Sequence, residues 1–480
     1  MPKPAQPLTL LPFLPSDNSL TANIFTFLNQ KKIFETENVD WGFSGYGLLW
    51  NYNLNYFDFL HQENIKVPDG LKLIHHFIAH ANVRSPSYDP YPVSLRGINW
   101  IKFLVKNNVD DSKINESLFR QYLKLSHETE KHLGANHLLE NGFSLLFAGF
   151  YFRDENLLKQ SENILLKELR EQILQDGAHF ELSPMYHRII LHRILDCINL
   201  VKNNSVGNDL LLNLLTEKAG AMLSWMNIMT FRNGGMPDFN DSTQAGTPTP
   251  YRLMTYAKQL DVYTGSISLS ESGYKKFSFP KYELILDAGN IMPSYNPGHT
   301  HADMLSFCLN INDKPVIVDC GISTYENNSR RKYERSTEAH NTVSVDGLGQ
   351  SDMWASFRVG RRARIIDKSL TENPCSAAIK GFTSAGIVHK RQWEFFEDKI
   401  LIVDYIPGKH HCKALLHFYP EVSIEEIKNS ISGNNFLITF RNHSNLTIED
   451  YDFAEGFNKL AKAKVAVILF SERLYTEIIL

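Results

Sequence analysis

The chain predicts a multidomain protein of α and β type, a helical N-terminal half followed by an antiparallel β half. Three observations carry that prediction. Its 480 residues exceed what one ordinary hydrophobic core organises. From about Phe25 to Leu260, apolar residues recur at spacings of three and four, the period of helices with one buried face. From about Lys275 the period drops to two, and β-branched and aromatic residues dominate, as in half-buried strands.

In the helical half, residues 114–133, 155–174 and 185–203 each read as an amphipathic helix. Short links carry the start and stop signals. One is "QDG" at 175–177; another is "ELSP", where Ser183 can cap a helix and Pro184 can take its first position. Many helices on short links imply antiparallel hairpins. The β half reads as an antiparallel sandwich or several packed sheets, with turn residues at Asn312-Asp313 and Glu397-Asp398 where hairpins fold back. A small polar stretch at 264–273 suits a linker. The expected division is therefore an N-terminal tail over 1–20, a helical domain over 21–265 and a β domain over 266–480.

Hydrophobic residues at 43% and charged residues at 21% mark a chain that folds. Forty-nine basic against 53 acidic side chains give a net charge of −4, so no global positive field gathers nucleic acid, and an anionic ligand needs a local patch. No run approaches the ~18 apolar residues of a membrane span. Five scattered cysteines without CxxC spacing fit a reducing compartment. The first residues, with one lysine and a proline-broken apolar segment, do not read as a signal peptide. The expected location is cytoplasmic, or periplasmic or secreted if a leader was removed. The residues assign no oligomeric state.

The stretch "NPGHTHADMLSF" (296–307) sets His299, His301 and Asp303 behind a Pro-Gly turn at the entry to an apolar run. In a strand, side chains two apart share a face. Two imidazoles on one face suit a metal, a proton-transfer site or a plain surface pair. Downstream, Asp319 ends the apolar run "PVIVDCG", and His340 precedes a strand in "RSTEAHNTVSVDG". A carboxylate ending a buried run needs a partner or a cation. His301, Asp319 and His340 together form a mixed nitrogen and oxygen set suited to zinc.

In the helical half, "GANHLLENG" gathers Asn136, His137 and Glu140 at a helix start, with His137 and Glu140 on one face; capping by the asparagine is the alternative. "QDGAHFELSPMYHR" brings Tyr186 to the first turn of a helix near His179, Glu181, His187 and Arg188. A cation beside that phenol would lower its pKa from ~10 and suit it to proton transfer.

Taken together, "PYPVSLRGINWIKF", "NHLLENG", "ELSPMYHRI", "NPGHTHADMLSF", "VDCG" and "RSTEAHNTVSVDG" resemble the heparinase II/III-like polysaccharide lyases. The resemblance implies an N-terminal incomplete (α/α) toroid followed by a C-terminal antiparallel β-sandwich, and cleavage of uronic-acid-containing glycans by β-elimination. It implies that Asn136 and His137 hold the substrate carboxylate, with Glu140 near the same subsite. It assigns proton transfer to Tyr186 and His299, and one structural zinc ion to His301, Asp319 and His340. Asp303 is left to orient a histidine. Holding the carboxylate matters because donors aimed at developing charge are usually the largest catalytic term. A uronyl C5 epimerase would use the same machinery. A non-catalytic glycan-binding protein and a hydrolase with catalytic zinc are the other readings.

An anionic glycan needs cationic walls on a net-negative chain. The runs "RRKYER" (330–335), which includes Arg335, and "RVGRRAR" (358–364) offer them, and Arg188 is a further candidate contact. Trp50, Tyr52 and Tyr56, with Trp100 and Trp354, are candidate sugar-stacking platforms, against the general tendency of aromatic residues to fill cores.

Overall fold

The computed structural model describes residues 7–35, 38–204 and 209–480. The chain divides into two compact units. The first holds the chain through Ile173 with Arg188–Leu223 and Tyr251–Gly265; the second holds Leu174–His187, Ser224–Pro250 and Ser266–Leu480.

The first unit is helical. Its helices include Leu48–Tyr56, Val67–His80, Pro90–Lys106, Ser112–His127, Ala135–Phe152 and Glu155–Gln172, beside a small sheet of three short strands. Two starts are fixed by aspartate caps: Asp111 accepts from the backbone of Lys113 and Ile114, and Asp154 from Asn156 and Leu157. Ala135–Phe152 is buried at every position except His137. Its glycines permit this, since a Cβ at Gly142 would come within 2.9 Å of Ile164 and Leu165, and one at Gly149 within 2.6 Å of Leu158.

Residues 7–15 are not a loose tail. The backbone of Leu11 exchanges hydrogen bonds with the Asn199 side chain at 2.9 and 3.0 Å, and Thr9 does the same with Asn204. Pro7, Pro12 and Pro15 keep this stretch extended and limit its own donors. Among the described residues, no helix is long and apolar enough to cross a membrane.

The second unit is a sandwich of antiparallel sheets. Tyr274–Ser278, Tyr282–Asp287, Phe307–Ile311 and Lys314–Ile317 form a four-stranded sheet in chain order. A ten-stranded sheet faces it, and one core takes Leu284, Leu286 and Leu309 from the first and Ile379, Trp393, Ile402 and Ile468 from the second. Along Lys399–Tyr405 burial alternates residue by residue, as a one-sided strand requires. The Asn312-Asp313 turn has φ of 49° and 61°, the positive pair of a two-residue hairpin.

Tyr282–Asp287, by contrast, is buried throughout, so both of its faces are covered. This explains why a single cut at 265 does not describe the compact units: residues 224–250 pack on the small sheet. Phe239 stacks on Tyr274 at 5.4 Å, Lys276 Nζ donates to the Thr230 carbonyl at 2.6 Å, and the Arg232 N–H donates to Glu283 at 2.7 Å.

Candidate active site

In the second unit, Tyr186 is placed by the start of the helix Pro184–Asn204. Ser183 acts as the cap foreseen in "ELSP": its Oγ accepts from the Tyr186 N–H at 3.2 Å and donates to the Asp241 carbonyl at 2.7 Å. One hydroxyl thus ties the helix start to the turn carrying Asn240 and Asp241. That turn holds the His299–His301 loop, with the Asp241 N–H donating to the His299 carbonyl at 3.0 Å and the His301 N–H to Asn240 Oδ1 at 2.9 Å. Residues 296–306 are irregular and the strand begins only at Phe307, so His299, His301 and Asp303 do not share a strand face.

The two histidines meet one carboxylate. His299 Nδ1 lies 2.8 Å from Asp241 Oδ2, and His301 Nε2 lies 2.8 Å from Asp241 Oδ1. Arg331 binds both oxygens of the same carboxylate through Nη1 and Nη2. Burial alone would raise the Asp241 carboxyl, but Arg331 and the two imidazoles hold it well below the usual carboxylate range. An ionised Asp241 accepts only, so Nδ1 of His299 carries the proton and Nε2 is left as the basic nitrogen.

The Tyr186 ring lies against His299 at 4.1 Å between centroids, and its hydroxyl is 3.2 Å from that of Tyr325. Burial pushes the Tyr186 phenol up, with Glu181 and Asp241 adding to it against the opposing effects of Tyr325 and Arg331. The lowered phenol expected from a cationic neighbour is therefore not found. The cation acting on it is Arg331, while the Arg188 side chain is buried rather than open to a ligand.

A second group lies beyond His301. Ligand atoms of Asp303, Asp319 and His340 all fall within 4.8 Å of one another, and all three residues are buried. His340 Nδ1 bonds Asp319 Oδ2 at 2.8 Å, and Asp319 holds the imidazole up against the lowering effect of burial. His301 lies outside this compact group; its Nε2 is turned to Asp241, and its ring lies 5.3 Å from that of His340. Three atoms here are buried without a partner: His301 Nδ1, His340 Nε2 and Asp303 Oδ2. The His340 nitrogen and the Asp303 oxygen, both orphaned inside that compact group, are what a bound divalent cation would satisfy. Both histidines donate their other nitrogen to a carboxylate, as metal-bound histidines do. The residues fit a zinc ion.

In the first unit, the helix bearing Asn136 starts after Gly134, which has φ 63° and makes no side-chain cap, so Asn136 is not a capping residue. Asn136 and Glu140 are buried, while His137 is the one half-buried position of this helix. His137 Nδ1 pairs with Glu130 Oε1 at 2.9 Å, not with Glu140, and its ring packs on Tyr91 at 4.5 Å. Glu140 sits 3.3 Å from Arg193 Nε, yet neither of its oxygens makes an aligned hydrogen bond.

Other expected contacts turn inward. Trp50 is fully buried at 0% exposure, packed edge-on by Phe27, Phe43 and Tyr46, so it is core and not a sugar platform. Trp100 is equally buried, and Tyr56 is nearly so. Tyr52 is half-buried, and its hydroxyl is held by Asp89 at 2.6 Å. Arg335 is buried with its guanidinium on the carbonyls of Thr300 and Arg358, supporting the His301 loop and closed to a ligand. Asp241, Arg331 and Tyr325 escaped sequence reasoning as individual site residues. Only the local density of Asp, Asn and Ser in "PDFNDS" and the arginine run hinted at the first two.

Two family models match consecutive stretches of the chain: Heparinase II/III N-terminus over residues 96–267, and Heparinase II/III-like, C-terminal over 263–479. A heparin-sulfate lyase of Bacteroides stercoris is 22% identical over 343 residues, 65% of this chain and 50% of that protein. A heparin-sulfate lyase of Pedobacter heparinus is 21% identical over 383 residues, 71% of this chain and 55% of that protein. The chain thus spans about half the length of these curated relatives. A crystal structure of heparinase III superposes with a TM-score of 0.71 at 16% identity, covering 92% of this chain and 79% of that one. The likeness shows the fold, a helical toroid followed by an antiparallel β-sandwich.

Proposed function

This chain belongs to the heparinase II/III-like family, and from that premise we propose that it is a polysaccharide lyase cleaving a uronic-acid-containing glycan by β-elimination. The observation that carries the reading is the contact between two proton-transfer groups, the Tyr186 phenol and the His299 imidazole, at 4.1 Å. In the reaction the C5–H and C4–O bonds break and a C4–C5 double bond forms, so one proton leaves C5 and one reaches the departing oxygen. His299 Nε2 suits the base, because Asp241 fixes the proton on Nδ1. Tyr186 suits the donor to the leaving oxygen, because burial keeps its phenol protonated. Asn136 and His137 are proposed to hold the uronate carboxylate, with Glu140 beneath them on the same helix. Asp319 and His340, joined by Asp303 and with His301 beside them, are proposed to hold one zinc ion, which when bound supplies fixed positive charge to a buried acidic cluster.

Incubation with a panel of uronic-acid glycans in deuterated buffer tests the reading. Elimination gives shortened products with a new ultraviolet chromophore. Deuterium at C5 of an uncleaved, non-absorbing product would overturn it in favour of an epimerase. Tyr186→Phe removes one oxygen and is expected to lower kcat about 10²- to 10⁴-fold at an unchanged melting temperature. Undiminished turnover would remove Tyr186 from the mechanism.

A further inference from the structure

We propose that the β-ribbon Asp352–Trp354 and Arg358–Gly360 is a substrate subsite for a pyranose bearing a carboxylate or sulfate, with Trp354 as stacking platform and Arg358 as anion contact. The identity of the ligand rests on the lyase reading; the site itself rests on the ribbon.

Trp354 and Arg358 are directly opposed across the antiparallel pair, so their side chains project from the same face. Trp354 is 51% exposed, in a chain whose other named indoles, Trp41, Trp50, Trp100, Trp225 and Trp393, are fully buried. Gly360 lets this indole lie along the ribbon, since a Cβ there would meet the Trp354 ring at 2.8 Å. The neighbouring arginines are committed: Arg361 pairs with Asp352, and Arg362 donates to the Ser294 carbonyl. Arg358 is exposed, and its guanidinium has no hydrogen-bond or ion-pair partner among the described residues. An exposed indole beside an uncommitted guanidinium offers an apolar face to a sugar ring and a two-pronged donor to its anionic group.

The ribbon is fastened to the loop that carries His299. Its tip residue Phe357 packs against His299 at 5.7 Å and against Tyr325 at 5.2 Å. Arg331, while gripping Asp241, donates from Nε and Nη2 to the Ser356 carbonyl at 3.1 and 3.0 Å. Arg335 spans the Thr300 and Arg358 carbonyls at 3.0 and 3.3 Å. Buried guanidiniums thus hold the ribbon in fixed register with the loop that carries the proton-transfer histidine.

The test uses the full chain and a size-defined uronate oligosaccharide, in sulfated and chemically desulfated forms, with a neutral glucan oligomer as control. Trp354→Ala is expected to raise KM about tenfold while kcat changes less than about twofold, and Trp354→Tyr to recover most of the loss. Arg358→Gln should raise KM about fivefold at low salt, with the gap closing as salt rises. Dependence on Arg358 that survives desulfation assigns the carboxylate; dependence that vanishes assigns the sulfate. Wild-type KM in both variants, or equal binding of the neutral oligomer, would overturn the subsite. Binding is read separately by indole fluorescence in the Tyr186→Phe background. Trp354-dependent quenching without cleavage by the parent protein would sink the lyase reading and leave the subsite standing.

Discussion

Two buried carboxylates, Asp241 in the second unit and Glu140 in the first, each face an arginine and end in opposite states. Asp241 receives His299, His301 and both prongs of Arg331, which together overcome burial and hold it well below the usual range. Glu140 has only Arg193, poorly aligned at 3.3 Å, and burial, helped by Asp58 and Asp196, outweighs that arginine and pushes it up to about 7. Burial and a nearby arginine are common to both. What differs is the number of donors aimed at the oxygens, and that number decides which carboxylate keeps its charge. The permanent anion can fix a histidine tautomer; the other is poised to gain or lose a proton near neutrality.

The most damaging change to this contrast is Asp241→Asn. An amide presents an oxygen to only one of the two imidazoles and turns N–H groups toward the other and toward Arg331. With His299 forced from its tautomer, kcat is expected to fall about 10³- to 10⁴-fold. Metal content, read by mass spectrometry or chelator competition, should fall with it as His301 loses its orienting partner. Turnover within tenfold of the parent would break the link between Asp241 and the proton-transfer step. His340→Ala comes next. It strips Asp319 of its partner and removes a proposed ligand, so urea unfolding should show a loss of about 3–5 kcal/mol together with loss of bound zinc. A variant of parental stability and full metal content would refute the zinc assignment.

The parts of this site legible in the sequence were those with chemistry in a short motif. Tyr186 after a Ser-Pro helix start and His299 behind Pro-Gly are local signals, and the structure brings these two rings together. Period identified the two halves for the same reason, since burial on one face is written into every turn of helix or strand. Asp241 was not legible, because its role arises from partners 58 to 90 residues away. The arginine run at 330–335 could not announce that Arg331 and Arg335 face inward. Nor could the aromatic run at 41–60 announce that Trp50 is core, since ring density does not say which rings meet water.

Glu140→Gln gives the smallest effect and tests the other arm of the contrast. The unfolded carboxyl titrates near 4.5 and the folded one at about 7, so between those values the folded state binds more protons than the unfolded. Stability owed to Glu140 is therefore complete below ~4.5, declines as pH rises and is gone above ~7, a change on the order of 2–3 kcal/mol. Glutamine carries no such titration. Urea unfolding of the two proteins at pH 4.5 and pH 8 should show the parent losing that amount relative to the variant across the interval. Parallel behaviour would mean that Glu140 stays ionised in the fold. Arg193 alone, without aligned hydrogen bonds, would then suffice to hold a buried carboxylate charged, and the donor-count explanation for Asp241 would lose its contrast.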